Sequence, residues 1–158
     1  MTPSAVEPVD PSAPPRVAVG GIAVVDDRIL LVQRGREPGR GLWSVPGGKV
    51  ERGERAETAV VREVLEETGL AVEVERFLGW VERIGPTHHF VILDFVVHPL
   101  DPRAPLQAGD DADDVAWVPL AELEHRPLAS GLASFLRRTG VLGPAFVGGA
   151  PSTRATPS

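Results

Sequence analysis

Three carboxylates, with a run of basic residues before them, are the side chains of this sequence best placed to do chemistry. Glu63, Glu66 and Glu67 stand at i, i+3 and i+4 in a stretch, Arg55 to Thr68, that lacks Pro and Gly and is rich in Ala, Glu, Arg and Leu. That composition predicts a helix, and that spacing puts all three acids on one face. Gathered carboxylates repel one another, and their pKa values rise where water is excluded. The cluster therefore calls for positive charge. Arg62 is one neighbour. A divalent cation is the stronger candidate, since Mg²⁺ is a hard ion that takes oxygen ligands and keeps substrate phosphate in its shell. Glu54 adds a further carboxylate from the preceding loop. Taken alone, an acidic stripe of this kind reads as a solvated helix face with i, i+4 ion pairs.

The wider spacing favours the metal. Gly48 is followed after five residues by Glu54, then after seven by Arg62-Glu63-Val64, then by Glu66-Glu67, Gly69 and Leu70. These match every fixed position of the Nudix box, and the chain resembles the Nudix hydrolase family. The likeness extends more loosely to Trp43-Ser44-Val45-Pro46-Gly47-Gly48 and to the order of strands and helices over Val17 to Thr139. It implies an α/β fold, an α/β/α sandwich with a mixed central sheet, and a pyrophosphohydrolase using Mg²⁺ with Mn²⁺ as a substitute. It implies Glu63, Glu66, Glu67 and the Gly47 carbonyl as metal ligands, and Glu63, Glu66, Glu67 and Arg62 as the catalytic set. Glu63, Glu66 or a downstream loop acid would orient or deprotonate the attacking water, with Asp110, Asp111, Asp113 and Asp114 as loop candidates. Arg62 would hold a glutamate in place.

Family substrates are nucleoside diphosphates linked to another moiety. The segments GGIAVVDDRILLVQR, WSVPGG and THHFVILDF are similar to the ADP-ribose pyrophosphatase branch, which implies ADP-ribose giving AMP and ribose 5-phosphate. A nucleoside triphosphate pyrophosphatase clearing damaged or excess nucleotides is the alternative. A non-catalytic nucleotide sensor is the alternative of another class, and the retention of Glu54, Arg62, Glu63, Glu66 and Glu67 together speaks against it.

Arg34, Arg36, Arg40, Lys49, Arg52 and Arg55 precede the acidic helix and suit a phosphate bridged to metal. Arg34, Arg36 and Phe90 are the substrate-binding candidates, with Trp80 and Trp117 as other rings able to stack a base. His88 and His89 lack zinc-site spacing and are expected at a pocket rim. A phosphate-binding P-loop at Gly48-Lys49 is excluded, because Val50 stands where Ser or Thr is required. The formal net charge of −6 argues against nucleic acid as a partner. With no cysteine, disulfides and thiolate chemistry are absent. No stretch is apolar enough to cross a membrane and no basic-then-apolar leader is visible, so a cytoplasmic location is expected. The expected partner is a small-molecule nucleotide, and a homodimer through apolar strands is left open.

The elements that must position these groups follow from pattern. Residues 1–15 are rich in Pro, Ala and Ser and are expected to be disordered, 16–142 to form the domain, and 143–158 a flexible tail. Val17 to Val25 and Arg28 to Arg34 read as strands turning at Asp26-Asp27. Leu42 to Val45 is a short extended piece carrying Trp43 to the core. Along the box helix Ala56, Ala59, Val60 and Val64 form an apolar stripe beside Val61 and Leu65, which predicts burial except along the acidic edge. Val72 to Ile84 and Phe90 to His98 read as strands joined at Gly85-Pro86. Phe90, Ile92, Asp94 and Val96 share a face, with Asp94 expected as a buried, hydrogen-bonded structural acid ahead of one that orients a loop or touches substrate. A loop from Asp101 running on through Asp113-Asp114, a strand Val115 to Val118, a helical turn Pro119 to Glu124 and a helix Leu128 to Arg138 complete the domain.

Overall fold

The computed structural model describes residues 10–37 and 39–143; the expectations for residues 1–9 and 144–158 lie outside these. The chain runs β1 (Arg16–Ile22), β2 (Val24–Val25), β3 (Arg28–Arg34), β4 (Trp43–Ser44), β5 (Gly47–Lys49), α1 (Ala56–Thr68), β6 (Val72–Gly85), β7 (His88–Pro99), β8 (Ala112–Pro119), a 3₁₀ helix (Leu120–His125) and α2 (Leu132–Arg138). One sheet is ordered β5-β1-β7-β6, with β1 and β7 parallel and the other pairs antiparallel. A second sheet joins β2, β3 and β4, with β8 on β3. The fold is thus α/β with a mixed sheet.

Each helix covers a different core. Ala59, Val60 and Val64 of α1 pack with Val19, Ala23, Leu30, Phe95 and Val97. Leu132, Phe135 and Leu136 of α2 pack with Ile22, Ile29, Leu31 and Trp43. Alternation along β1 separates the two: a Cβ on Gly21 would meet Val64 and Val60, whereas one on Gly20 would meet Asp94 and Val45.

Asp26 and Asp27 both take left-handed φ values, 50° and 59°, as a two-residue turn between right-twisted strands demands. Gly69, at φ 79°, donates its N–H to the Leu65 carbonyl and ends α1. The following loop then laps the helix end: Gln107 and Gly109 donate to the Thr68 and Glu67 carbonyls at 2.9 and 3.2 Å. Those carbonyls have no partner within the helix, so the loop supplies one. This lapping brings Asp111 to the acidic helix.

Three expectations need correction. Leu65 is half exposed, at 50%, so α1 is buried along a narrower stripe than its apolar residues suggest. β8 starts at Ala112, which places Asp113 and Asp114 in a strand rather than a loop. Asp113 is the extra residue of a bulge, opposite the Gln33–Arg34 step. α2 begins only at Leu132, because Gly131 takes φ 82° and Ala129 is tied to Trp43 by its N–H at 2.8 Å.

Candidate functional site

The turn before α1 and the helix itself are joined by one guanidinium. Arg62 donates Nε to Glu54 Oε2 at 2.8 Å, Nη2 to Glu54 Oε1 at 2.9 Å and to the Lys49 carbonyl at 3.2 Å, and Nη1 to Glu63 Oε1 at 2.8 Å. It also reaches Glu66 Oε2 at 3.3 Å. Glu54, doubly bonded to Arg62 and accepting the Glu51 N–H, is held well down, to about 2. Arg62 therefore ties three carboxylates and the end of β5 into one unit.

Two carboxylates then turn inward against β5. Glu67 Oε2 accepts the Gly47 N–H at 3.1 Å, and the Glu63 carboxyl lies where a side chain on Gly48 would begin. Burial pushes the Glu67 carboxyl up to about 7, against the opposing Gly47 hydrogen bond, with Glu63 and Asp111 adding to the rise and Arg34 reducing it. Burial also raises Glu63, although Arg62 opposes it. Both acids gain from added positive charge. Glu66 departs from the expected stack of three: it is 58% exposed and turned to Arg62. Among the described residues no three acids or histidines are gathered at metal-holding distances. The donor set still fits a hard divalent cation, because two desolvated, mutually repelling carboxylates with oxygen donors are what such an ion stabilises.

Gly48 is required by this packing. A Cβ there would lie 2.5–2.6 Å from the Glu63 carboxyl. Gly48→Ala is expected to displace Glu63 from Arg62 and lower turnover at least about tenfold in a protein that still melts cooperatively, the loss of one charge-assisted contact. Gly53, with open space around it and φ 82°, serves as control. Gly53→Asn keeps the left-handed conformation accessible and is expected to stay within about twofold of wild type. Equal losses for the two variants in steady-state assays would show that Gly48 acts through loop conformation instead.

The acids stand at one side of a cleft of about 1780 Å³. Its floor follows from strand register. Gly47, Gly20, Asp94 and Gly79 pair in one row across β5, β1, β7 and β6; Lys49, Ala18, Ile92 and Val81 form the next, then Arg16, Phe90 and Arg83. The expectation of a hydrogen-bonded Asp94 fails. It is 4% exposed, and its Oδ1 has no hydrogen-bond partner among the described residues. Burial pushes its carboxyl up to about 7, with Arg83 only partly opposing.

Of the substrate-binding candidates, Arg34 and Phe90 line the cleft. Arg36 also lines it but is paired with Asp111 at 3.1 Å, both largely exposed. Lys49 and Arg52 line the cleft, whereas Arg40 and Arg55 do not. Trp80 stands on the rim and is 55% exposed. Trp117 instead packs against the α1 core. His88 stacks on Phe90 at the mouth, with ring centroids 5.8 Å apart, and His89 pairs with Glu82. Among the loop acids Asp111 alone faces the cleft; Asp110 and Asp114 do not line it, and Asp113 sits against Gly35. Arg16 and Arg83 escaped the sequence reading. Counting outward from the Gly85-Pro86 turn pairs Arg83 with Phe90 and would have found one of them.

The NUDIX domain family model matches residues 14–139. An ADP-ribose pyrophosphatase of Methanocaldococcus jannaschii is 40% identical over 111 residues, covering 69% of this chain and 64% of that protein, so the chain spans a little under two thirds of that relative. A MutT NUDIX hydrolase from Burkholderia pseudomallei superimposes with a TM-score of 0.71 at 34% identity, over 79% of this chain and 98% of that one. The NUDIX domain of Shewanella oneidensis NrtR, complexed with ADP ribose, superimposes with a TM-score of 0.66 at 26% identity, over 82% and 90%. No helix among the described residues is long and apolar enough to cross a membrane.

Proposed function

Because this chain belongs to the NUDIX family, we propose that it is a pyrophosphohydrolase that cleaves a nucleoside diphosphate linked to another moiety, ADP-ribose first, to AMP and ribose 5-phosphate. The observation that carries this reading is the pair of desolvated carboxylates, Glu63 and Glu67, held against the Gly47-Gly48 backbone at the side of a cleft large enough for a dinucleotide-sized ligand. The name of the Methanocaldococcus relative and the ligand of the Shewanella domain support ADP-ribose.

Glu63, Glu66, Glu67 and the Gly47 carbonyl would hold a divalent cation, Mg²⁺ with Mn²⁺ as substitute. When bound, such an ion neutralises phosphate charge and lowers the pKa of a water. The chain's own groups do the rest. Arg62 fixes Glu54 and Glu63, so that the acids keep their places as charge moves through the site. Arg34, Lys49 and Arg52 line the cleft beside them and receive the diphosphate oxygens. Glu63, Glu66 or Asp111 orients the attacking water or takes its proton.

Product analysis tests this. The full chain with Mg²⁺ is expected to convert ADP-ribose to AMP and ribose 5-phosphate, and a chelator in excess is expected to abolish turnover. Monophosphate and pyrophosphate from nucleoside triphosphates, with ADP-ribose untouched, would replace the reading with nucleotide clearance. Tight binding without turnover in the presence of metal would replace it with a sensor. A small-molecule nucleotide is the partner in every one of these readings. A cytoplasmic location and a homodimer belong to the same proposal; sedimentation of the purified chain tests the second.

A further inference from the structure

We propose that Asp94 is the specificity-determining residue of the cleft, its carboxyl taking a hydrogen bond from an amino donor on the edge of the bound nucleobase. The inference rests on the reading of the cleft as a nucleotide site.

The geometry of the floor points there. In the row Gly47, Gly20, Asp94 and Gly79, three of four positions carry no side chain, so Asp94 alone supplies chemistry to it. Gly20 gives way to it: a Cβ there would lie 2.1 Å from Asp94 Oδ1. A carboxyl buried this deeply ordinarily has its oxygens matched by donors. Here Oδ1 is enclosed with none among the described residues, while the same side chain lines the cleft. A purely structural acid in the core would instead be tied to neighbouring N–H groups. The arrangement makes sense when a donor arrives with the ligand.

The neighbouring rows say what kind of ligand group carries the donor. Ala18, Ile92 and Val81 form a low apolar strip beside Asp94, and Phe90 and Arg83 border it further out. An apolar strip with Asp94 along one side, Arg83 beyond it on the other and Lys49 at its β5 end suits a planar base rather than a ribose, whose hydroxyls project from a puckered ring. Asp94 also lies two strands from Gly47, about 10 Å at the usual inter-strand spacing. Gly47 is where Glu67 is anchored. A nucleotide spans a distance of that order between its phosphate and its base edge. The phosphate end at Glu67 and the base end at Asp94 are therefore compatible with one bound nucleotide.

The test compares adenine with purine, which lacks the 6-amino group, on otherwise identical ligands. Wild type is expected to favour ADP-ribose over its 6-deamino analogue by about tenfold or more in kcat/KM, because an unpaired buried carboxyl penalises the analogue. In Asp94→Leu that ratio is expected to fall to within about threefold of unity, and Asp94→Asn, which keeps a carbonyl acceptor, recovers part of it. An Asp94 that merely supports the fold would lower both substrates together and leave the ratio intact, and that result overturns the inference. So does a wild type that does not discriminate. Calorimetric binding of AMP and 6-deamino-AMP separates the two readings. If ADP-ribose is not hydrolysed, a preference for AMP that disappears in Asp94→Leu keeps Asp94 as the base reader and removes only the proposed reaction. AMP binding that is absent, or indifferent to residue 94, removes the base reader whatever the reaction.

Discussion

Glu67→Gln is expected to lose at least about a hundredfold in turnover while remaining folded, the scale of removing one preorganised electrostatic group from a site. Glutamine keeps the length of the side chain and still offers an oxygen to the Gly47 N–H, which Glu67 Oε2 accepts at 3.1 Å. What it removes is the charge. In kcat and KM the loss should fall on kcat, since the role proposed for Glu67 is at the reacting centre and not at the base end of the cleft. Turnover near wild type would take Glu67 out of the metal site.

The same substitution has an opposite effect on stability, with a definite sign in pH. The Glu67 carboxyl is raised from the ordinary 4.5 to about 7 by burial. An acid raised in the folded chain binds its proton more tightly there than in the unfolded chain. Between the two values the folded state thus carries more protons, and stability falls as pH rises. The loss starts near 4.5 and is complete above 7. It amounts to at most about 3 kcal/mol, from 1.36 kcal/mol per pKa unit. With a chelator present, Glu67→Gln should match wild type near pH 4 and melt higher than wild type at pH 8. Asp94, also raised to about 7, remains in both proteins and cancels from the difference. Adding Mg²⁺ should stabilise wild type more than the variant. A variant less stable than wild type at pH 8 without metal would mean that the charged form of Glu67 is not strained in the fold.

Local pattern and tertiary register divide what the sequence reveals from what it hides. The helix from Ala56 to Thr68, its glycine cap and the hairpin turn at Asp26-Asp27 depend on neighbours within a few residues, and they are legible as written. The box spacing likewise marks Glu63 and Glu67. Periodicity and the box both put Glu66 with them, but Arg62, at i−4, draws Glu66 outward on the exposed side of the helix. Leu65 illustrates the same limit: an apolar residue on a helix is buried only if some element covers its face, and among the described residues this one is covered only by half. The Asp94 row could not be read at all. It needs β1 and β7 to be parallel neighbours, with Gly20 opposite Asp94, although seventy-odd residues separate them in the chain. Two glycines of β1 make room, Gly20 for a carboxyl and Gly21 for Val64 and Val60.

That last contact makes Val64→Asp the substitution expected to damage the protein most. Val64 is fully buried, packs among Val60, Leu70, Phe95 and Val97, and its Cγ2 would lie 2.8 Å from a Cβ on Gly21. The side chains it packs with are apolar, and α1 and β1 approach too closely there to admit water. An aspartate there brings a charge into the core without a partner and leaves the methyl space unfilled, a loss of about 4 kcal/mol or more. Against a total stability of about 5–15 kcal/mol, a loss of that size unfolds a large fraction of the chain. Leu65→Asp places the same charge one residue along, where half the side chain already meets water. It should cost within about 1 kcal/mol, mostly from an acid near the C-terminal end of α1. Urea titrations of the two variants separate geometry from composition. The expected result is a near-native midpoint for Leu65→Asp and, for Val64→Asp, a midpoint shifted far down or no cooperative transition. Similar midpoints for both would mean that α1 can rotate or lift away from β1, and then the placing of Glu63 and Glu67 against β5 could not be maintained by the packing of this helix.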